Sequence, residues 1–288
     1  MLSALISGLA IGCVYGLVAI GFSMVFRAMG LVNFAQGDIL MLGAFFGFTI
    51  LTWVPAMPYL LVLLGASLGA GVFGFFLERF LLRPAVRRHA GQTYLVLLTL
   101  GIGIVLSNGA RLVWGANPVI YNIPLRHELV RFGDVALPMP YFYIVAGVVV
   151  ILLLLQYIFT RTWVGLTLRA VADDPQSARL MGISVSNAST TAFVIACMLG
   201  AAAGVFYAPL FYVSFDMGLI GVKAFAAAVV GGFGNLPGAV VGGLVIGIAE
   251  AVGGVLIGTE YQDSIAFATM IVLLLIRPRG LLGKGVAA

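Results

Sequence analysis

Residues 141–160 read YFYIVAGVVVILLLLQYIFT, which is twenty consecutive positions with a single glutamine and no charged residue. An α-helix of about 20 apolar residues crosses the hydrocarbon core of a bilayer. A strand of a membrane β-barrel would instead alternate apolar with polar residues, and this stretch does not alternate. The stretch therefore predicts a membrane-spanning helix.

The whole chain shares this character. It has 288 residues, of which 62% are hydrophobic and 9% are charged, whereas a soluble domain carries about 25% charged residues. Its 38 glycines are scattered through the apolar stretches, which is typical of closely packed membrane helices. The formal net charge of +5 is divided among short segments between apolar runs. The charge therefore indicates orientation in a bilayer and does not indicate a nucleic-acid surface.

Apolar runs bounded by charges, or by proline and glycine, predict the spans, and each span must be helical because lipid offers no partners for an open sheet. They cover residues 2–26, 39–54, 59–77, 94–110, 141–160, 188–215 and 264–276. The last run is short, so a span there must include Gln262 and Asp263 or cross a thin part of the bilayer. A further uncharged stretch, 224–249, is interrupted by GGFGNLPG at 231–238 and is either one span or two short ones.

Basic residues predict the orientation. They cluster in three segments, namely Arg79, Arg83, Arg87 and Arg88; Arg161, Arg169 and Arg179; and Arg277, Arg279 and Lys284. Short loops rich in Lys and Arg face the cytoplasm. A cytoplasmic C-terminus then requires an even number of crossings between Asp216 and Glu260, so residues 224–249 are expected to bend at the glycine and proline cluster and return. We expect eight or nine spans with interrupted or re-entrant helices, a periplasmic N-terminus, and one transmembrane domain over residues 1–288.

A polar element, NFAQGD at 33–38, separates the first two spans. In one interpretation Asp38 caps the helix that follows it. In the other, Asn33, Gln36, Gly37 and Asp38 line a translocation path, because irregular backbone at membrane depth persists only beside protein or a water-filled cavity. The two interpretations are compatible.

The glycine-rich interruption at 231–238 is the second such element. Interrupted apolar segments in the two halves of a chain point to a transport site, which makes Gly231, Gly232, Gly234 and Asn235 candidates for the same path. The alternative, for the glycines that follow at Gly238, Gly242, Gly243 and Gly247, is close helix packing through small residues. Glu250 ends the apolar run, and without a second embedded acid or histidine beside it we expect a shallow, solvated carboxylate.

The segment at about 161–187 is predicted to be cytoplasmic. Asp174 as N-cap, Pro175 at the first helical position and Gly182 past the end predict a helix of about two turns. So short a helix needs a packing partner, which is either the lipid headgroups or a cytoplasmic subunit. The candidate docking residues are Arg169, Asp173, Asp174, Pro175, Ala178, Arg179, Met181 and Gly182.

The sequence offers no nucleotide-binding signature of its own. GLLGKG at 280–285 lacks the spacing and the Ser or Thr of a phosphate-binding loop. No zinc-ligand cluster or catalytic triad pattern is present either. We therefore expect a chain that is not an enzyme and that binds no cofactor.

Three motifs, at 33–38, 169–183 and 231–238, occur in an order that resembles the permease subunits of branched-chain amino acid ABC importers of the LivH type. The resemblance implies a type II ABC importer fold in a bacterial inner membrane and a second, related permease subunit. It also implies two cytoplasmic ATPase subunits that use ATP and Mg, and a periplasmic binding protein that delivers Leu, Ile or Val. In that family the loop that corresponds to 169–183 contacts the ATPase.

Two alternatives stay open at this point. Urea and short-chain amide importers have permeases of similar sequence, so the resemblance does not settle the substrate. A channel or an ion-coupled secondary transporter is the rival from another class, and it should have paired intramembrane charges. Glu250 is the candidate that the sequence offers for such a pair.

Overall fold

The computed structural model describes residues 1–88, 91–121, 123, 129–132 and 135–283. Within these residues, eight helices are long and apolar enough to cross a membrane. The predicted span number and the helical fold class are therefore confirmed, and the chain is a multi-pass membrane protein. Lys284, part of the third basic cluster, lies outside the described residues.

The elements follow one another in a simple order. The helices are α1 (Leu2–Met29), α2 (Gln36–Trp53), α3 (Tyr59–Leu77), α4 (Arg83–Arg87), α5 (Gln92–Trp114), α6 (Pro140–Arg161), α7 (Trp163–Asp173), α8 (Pro175–Leu180), α9 (Val185–Tyr207), α10 (Ile220–Gly231), α11 (Leu236–Leu256) and α12 (Gln262–Ile276). A π-helical turn, Glu78–Leu82, joins α3 to α4. Before α6, the strands β1 (Leu129–Phe132) and β2 (Val135–Pro138) form an antiparallel hairpin.

The span boundaries lie within four residues of the predicted ones, apart from the end of the run at 188–215. The run at 188–215 does not stay helical, because α9 ends at Tyr207 and Pro209 has no N–H to continue the ladder. The chain then folds back, and Val213 exchanges backbone hydrogen bonds of 2.8 and 2.9 Å with Val119. At the other end, α12 begins at Gln262, so the last span does include Gln262 and Asp263.

The stretch at 224–249 is two helices, so the predicted bend at the glycine and proline cluster is confirmed. α10 ends at Gly231 and α11 begins at Leu236. Gly232 and Gly234 have φ angles of 103° and 85°, a region that side chains with a Cβ rarely adopt. With 12 residues, α10 is about 18 Å long, which is too short to cross a bilayer core of about 30 Å. It is a half-helix.

Glycine permits a close contact between α1 and α11. α1 packs along α11, as well as on α9 and α10. A Cβ on Gly12 would lie 2.8 Å from the Gly243 carbonyl oxygen, and one on Gly247 would overlap the Gly12 backbone. The small-residue packing interpretation is therefore confirmed for Gly243 and Gly247.

Large apolar side chains also cover the outer faces of the bundle. A lipid-facing surface has this character, because lipid tails solvate such side chains. Members of this surface on α3, α6 and α12 are Leu64, Leu68, Val72, Val150, Leu153 and Leu275, each at least half exposed.

Candidate functional site

The polar turn between α1 and α2 lies at mid-depth in the bundle. α1 ends at Met29, the φ of 68° at Gly30 after it is left-handed, and the chain turns back toward the bundle centre. The Gln36 side-chain amide donates a hydrogen bond of 2.8 Å to the carbonyl oxygen of Ala196. Because Ala196 is the middle residue of α9, the turn lies well away from both ends of the spanning helices.

Protein groups satisfy most of the polar atoms of this turn. Asn33 and Gln36 are at most 1% exposed, and the Asn33 amide donates to the Gln36 side-chain oxygen at 3.3 Å. The Phe34 N–H donates to the Thr99 hydroxyl at 3.2 Å. Asn33 Oδ1 has no partner within the described part of the chain. Irregular backbone is thus held at membrane depth by side chains of neighbouring helices, as such backbone must be.

The interpretation of Asp38 as a helix cap is wrong. Ala35 occupies the N-cap position of α2, and no side chain caps it. The Asp38 carboxylate instead lies in a slot between two glycines. A Cβ on Gly103 would overlap one of its oxygens, and a Cβ on Gly218 would be 2.5 Å from the other. Asp38 still occupies the first turn of α2, where the positive helix end favours a carboxylate.

Gly37 is the point at which the turn meets the second half of the chain. A Cβ on Gly37 would overlap the Gly218 carbonyl oxygen and would lie 2.8 Å from the Gly221 Cα. The returning segment after α9, including a short 3₁₀ turn at Phe215–Leu219, therefore packs directly on the polar turn. The expected span at 188–215 concealed this contact, although Pro209 and Asp216 were signals of a helix end.

The structure does not bring the second glycine-rich element to the polar turn. Leu281 and Leu282 donate backbone hydrogen bonds to Val230 and Gly231, at 2.8 and 3.1 Å. The side chain of Asn235 donates to the Leu282 carbonyl oxygen. The turn Gly231, Gly232, Gly234 and Asn235 therefore lies against the segment after α12, about ten residues of α10 or about 15 Å from the Gly37 contact.

An aromatic cluster joins the two elements across that distance. The ring of Phe225, on α10, lies 5.4 Å from the Phe34 ring and 5.6 Å from the Phe233 ring. The Phe26 ring of α1 lies 4.6 Å from the Phe233 ring. The polar turn and the glycine-rich turn are thus connected through a series of packed rings.

The predicted short helix is present and capped as expected. Asp174 Oδ1 accepts a hydrogen bond of 2.8 Å from the Gln176 N–H, and its other oxygen accepts one from the Ser177 hydroxyl. These donors, the Ser177 hydroxyl first, lower the pKa of the Asp174 carboxyl below its ordinary value because they stabilise the charged form. Gly182 has a φ of 82°, the left-handed conformation predicted for it.

A second helix, α7, precedes the short one and was not predicted. Val164, Leu168 and Val171 have the i, i+4, i+7 spacing of a helix face, and that spacing was the available signal. Leu168 and Val171 are buried. Arg27 of α1 lies 3.6 Å from Asp173 and ties the end of α7 to α1.

The exposed face of α8 differs from the expected one. Ala178 is 1% exposed and packs in a cluster with Leu168, Ala188 and Ala192. It holds α8 on the bundle and does not face outward, contrary to the expectation that it offers docking surface. The outward apolar side chains are Leu180, at 90% exposed, and Met181, at 70%. The other candidate docking residues, Arg169, Asp173, Pro175, Arg179 and Gly182, are also exposed.

Glu250 is buried and ion-paired, so the expectation of a solvated carboxylate is wrong. It is 7% exposed, and its Oε1 lies 2.6 Å from the Lys223 ammonium. The Tyr15 hydroxyl donates to its Oε2 at 2.9 Å. Lys223 also lies 2.5 Å from Asp263 Oδ1. The sequence conceals this cluster because its members come from four helices, and a carboxylate at membrane depth requires such partners.

Residues 4–274 match the family described as branched-chain amino acid transport system, permease component. The chain is 32% identical to the high-affinity branched-chain amino acid transport system permease protein LivH of Escherichia coli K12, over 98% of this chain and 96% of that protein. It is 33% identical to the corresponding protein BraD of Pseudomonas aeruginosa, over 98% and 96%. A solved structure of PsaBC from Streptococcus pneumoniae in complex with Fab aligns with a TM-score of 0.49 and 15% identity, over 96% of this chain and 92% of that one. The chain therefore belongs to the permease component family of branched-chain amino acid transport systems.

Proposed function

We propose that this chain is the permease subunit of an ATP-driven importer of branched-chain amino acids and forms half of the translocation path. The substrate class comes from the relatives, whose names give branched-chain amino acid transport. The coupling to ATP is inferred from α8. This capped helix packs on the bundle, and Leu180 and Met181 at its end are exposed. An exposed apolar pair of this kind needs a partner surface.

The complete transporter contains further subunits in this proposal. A second, related permease supplies the other half of the path, two cytoplasmic ATP-binding subunits dock on α8 and its counterpart, and a periplasmic protein delivers the substrate. ATP and Mg are used by the ATP-binding subunits, and this chain holds no cofactor. The distribution of basic residues supports an inner-membrane orientation with a periplasmic N-terminus and a cytoplasmic C-terminus.

A short series of contacts joins α8 to the polar turn. Ala178 of α8 packs in one cluster with Ala192 of α9. One helical turn further along α9, or about 5.4 Å, the Ala196 carbonyl holds the Gln36 amide. A displacement of α8 by closing ATPases therefore reaches the turn that contains Asn33, Gln36, Gly37 and Asp38 through a single rigid helix. Alternating access follows when this turn has two discrete packings.

The docking step is tested with the double variant Leu180→Asp and Met181→Asp. We expect it to insert in the membrane and to lose co-purification with the ATP-binding subunits, because two carboxylates would be buried against an apolar surface. The matched control is Leu282→Asp, another exposed apolar residue at the same end of the bundle, at 46% exposed. Unchanged co-purification of the double variant would contradict the assignment of α8.

The function as a whole is tested by reconstituting the complex in vesicles with its binding protein. We expect leucine, isoleucine and valine to stimulate both ATP hydrolysis and uptake, and urea and acetamide to stimulate neither. A Leu282→Cys variant should react with an impermeant thiol reagent from the cytoplasmic side alone. Labelling from the periplasmic side would overturn the orientation.

One observation favours the ion-coupled rival. A secondary transporter is expected to have paired intramembrane charges, and Glu250 and Lys223 form such a pair. The two mechanisms differ in their energy source. Accumulation that persists without nucleotide and collapses with an ionophore would support the rival, whereas accumulation that needs ATP inside the cytoplasmic compartment supports the importer.

A further inference from the structure

A cavity of about 450 Å³ lies among α1, α6, α10, α11 and α12. It is at the end of the bundle where α1 begins, since Ser3, Ser7 and Gln262 are among its lining residues. Its volume greatly exceeds that of one water molecule, about 30 Å³. In the orientation proposed above, this end faces the periplasm, from which the substrate is delivered.

Charged groups of both signs line this cavity or adjoin it. Lys223 and Glu250 line it, with side chains 16% and 9% exposed and an ion-pair distance of 2.6 Å. Asp263, at 75% exposed, shares the Lys223 ammonium. The Tyr15 hydroxyl fixes the second oxygen of Glu250. The set holds two carboxylates and one ammonium, so its net charge is −1.

A purely structural role explains this cluster poorly. Removing two charges from water costs more than their attraction commonly returns, and well-packed apolar residues of similar volume stabilise as well or better. The bundle has such packing at the neighbouring seam, where Gly243 and Gly247 of α11 contact Gly12 of α1. The ion pair is placed instead where it borders a cavity that also has apolar walls, formed in part by Ile11 and Val255.

We propose that this cavity is a binding site for a zwitterionic aliphatic amino acid on its way into the permease. The α-carboxylate binds the Lys223 ammonium in place of Asp263, the α-ammonium binds Glu250, and the aliphatic side chain lies against Ile11 and Val255. Asp263 is the group released because it is the exposed partner, and exposed ion pairs contribute little. The inference rests on the proposed function, which supplies the substrate class and the orientation.

The site is suited to weak, reversible binding. The substrate replaces one ion pair with another of the same kind, so the electrostatic gain is small, and no group is left buried without a partner. The requirement for both charged ends of the ligand distinguishes the site from a merely apolar corridor. A ligand without the carboxylate leaves Asp263 on Lys223, and a ligand without the ammonium adds a second carboxylate beside Glu250.

The first test is the double variant Lys223→Met with Glu250→Gln in the complete complex, reconstituted with its binding protein. Both substitutions keep the shape of the side chain, and a glutamine oxygen still accepts from Tyr15. We expect leucine uptake to fall about tenfold or more, as for the loss of charge-assisted hydrogen bonds, while the subunits still co-purify as a complex. The matched control Glu260→Gln removes an exposed charge at the same end and should keep uptake within about twofold of the unaltered complex. Uptake by the double variant at the unaltered rate would overturn the site.

The second test needs neither transport nor the double variant. Ser7 lines the cavity, and Ser7→Cys in a chain with Cys13→Ala and Cys197→Ala places one thiol there. In the complex without binding protein, we expect leucine at tens of millimolar to slow thiol modification by a charged methanethiosulfonate about fivefold. Leucinamide and N-acetyl-leucine, each lacking one charge, should not protect. Equal protection by all three, or none by leucine, would overturn the site.

The two proposals fail in different ways. An unaltered complex that takes up no branched-chain amino acid refutes the proposed function. An unaltered complex that takes them up, together with full uptake by the double variant or a Ser7→Cys thiol that leucine does not protect, refutes the cavity site alone. If the double variant does not assemble, the thiol measurement decides.

Discussion

Gln36 is the residue whose substitution should disturb the polar turn most, because its side chain makes two buried hydrogen bonds there. Its amide donates to the Ala196 carbonyl at 2.8 Å, and its oxygen accepts from Asn33 at 3.3 Å. The substitution Gln36→Leu keeps the side-chain volume and removes both hydrogen bonds. Two net hydrogen-bond contributions of about 1 kcal/mol each, with a penalty for the unsatisfied Asn33 amide, give a loss of roughly 2 to 4 kcal/mol in the free energy of unfolding.

The chain offers a matched control for this substitution. Gln92 also donates from its side-chain amide to a backbone carbonyl of the same turn, that of Gly30, at 3.2 Å, but Gln92 is exposed. Water replaces that bond when it is lost, so Gln92→Leu should cost less than about 0.5 kcal/mol. The two variants therefore separate the loss of a buried bond from the loss of a glutamine.

The assay measures stability and coupling in parallel. Thermal unfolding in detergent should show a lower Tm for Gln36→Leu by roughly 4 to 15 °C and little change for Gln92→Leu. In vesicles, Gln36→Leu should keep ATP hydrolysis and lose most leucine uptake, because the polar turn is no longer tied to α9. Equal Tm values for the two variants, or full uptake by Gln36→Leu, would refute the role given to this turn.

Three further predictions concern the seam, the cytoplasmic ends and the cap. Gly247→Ala should destabilise the bundle by about 1 to 3 kcal/mol through overpacking against α1. The control Gly16→Ala, whose Cβ would lie 3.4 Å from its nearest neighbour, should not destabilise it. Similar Tm values for the two variants would contradict the close packing of α1 on α11. Arg83→Met should lower the free energy of unfolding by about 3 to 5 kcal/mol because it leaves the buried Glu78 without its ion-pair partner at 3.3 Å. Adding Glu78→Gln should restore part of the accompanying fall in Tm. A Tm unaffected by Arg83→Met would argue against a stabilising pair. The lowered pKa of Asp174 means that its stabilisation of α8 is complete above the ordinary Asp pKa and is lost as the pH falls through the lowered folded value. The protection factors of the α8 amides, which are corrected for the intrinsic slowing of exchange at low pH, should therefore fall in acid. Asp174→Asn, which caps without ionising, should abolish that dependence; an unchanged acid response would contradict it.

The sequence predicts those features that depend on neighbouring residues. The apolar runs predicted the spans to within a few residues, except at 188–215, where α9 ends eight residues earlier, and the glycine and proline cluster at 231–238 predicted the break between α10 and α11. The cap at Asp174 and the left-handed Gly182 were predictable for the same reason, since each is a local backbone requirement. Such features need no knowledge of how the helices pack.

The features that depend on packing were not predictable. Lys223 and Glu250 pair only because α10 and α11 pack in a register that brings position 223 beside position 250. The sequence predicts the bend between the two helices but does not define that register. Ala178 was assigned to the outer face of α8, although it is the residue that seats the helix, because a helix of six residues has too few apolar positions to define a face. The family relationship supplies the substrate class, but it does not place any of these side chains.

In the proposed function α9 connects α8 to the polar turn, and the small residues of α9 suit it to that role. Ala188, Ala192 and Ala196 are all buried and lie on one face at intervals of four residues. Alanine lets α8 and the start of α2 approach the α9 backbone closely, so little flexible side chain lies between them. Displacement is then transmitted through nearly rigid backbone. A larger residue at position 192 would disturb the cluster in which Ala178 packs, one helical turn away from the Gln36 contact at Ala196, which distinguishes coupling through this face from a direct effect on the polar turn.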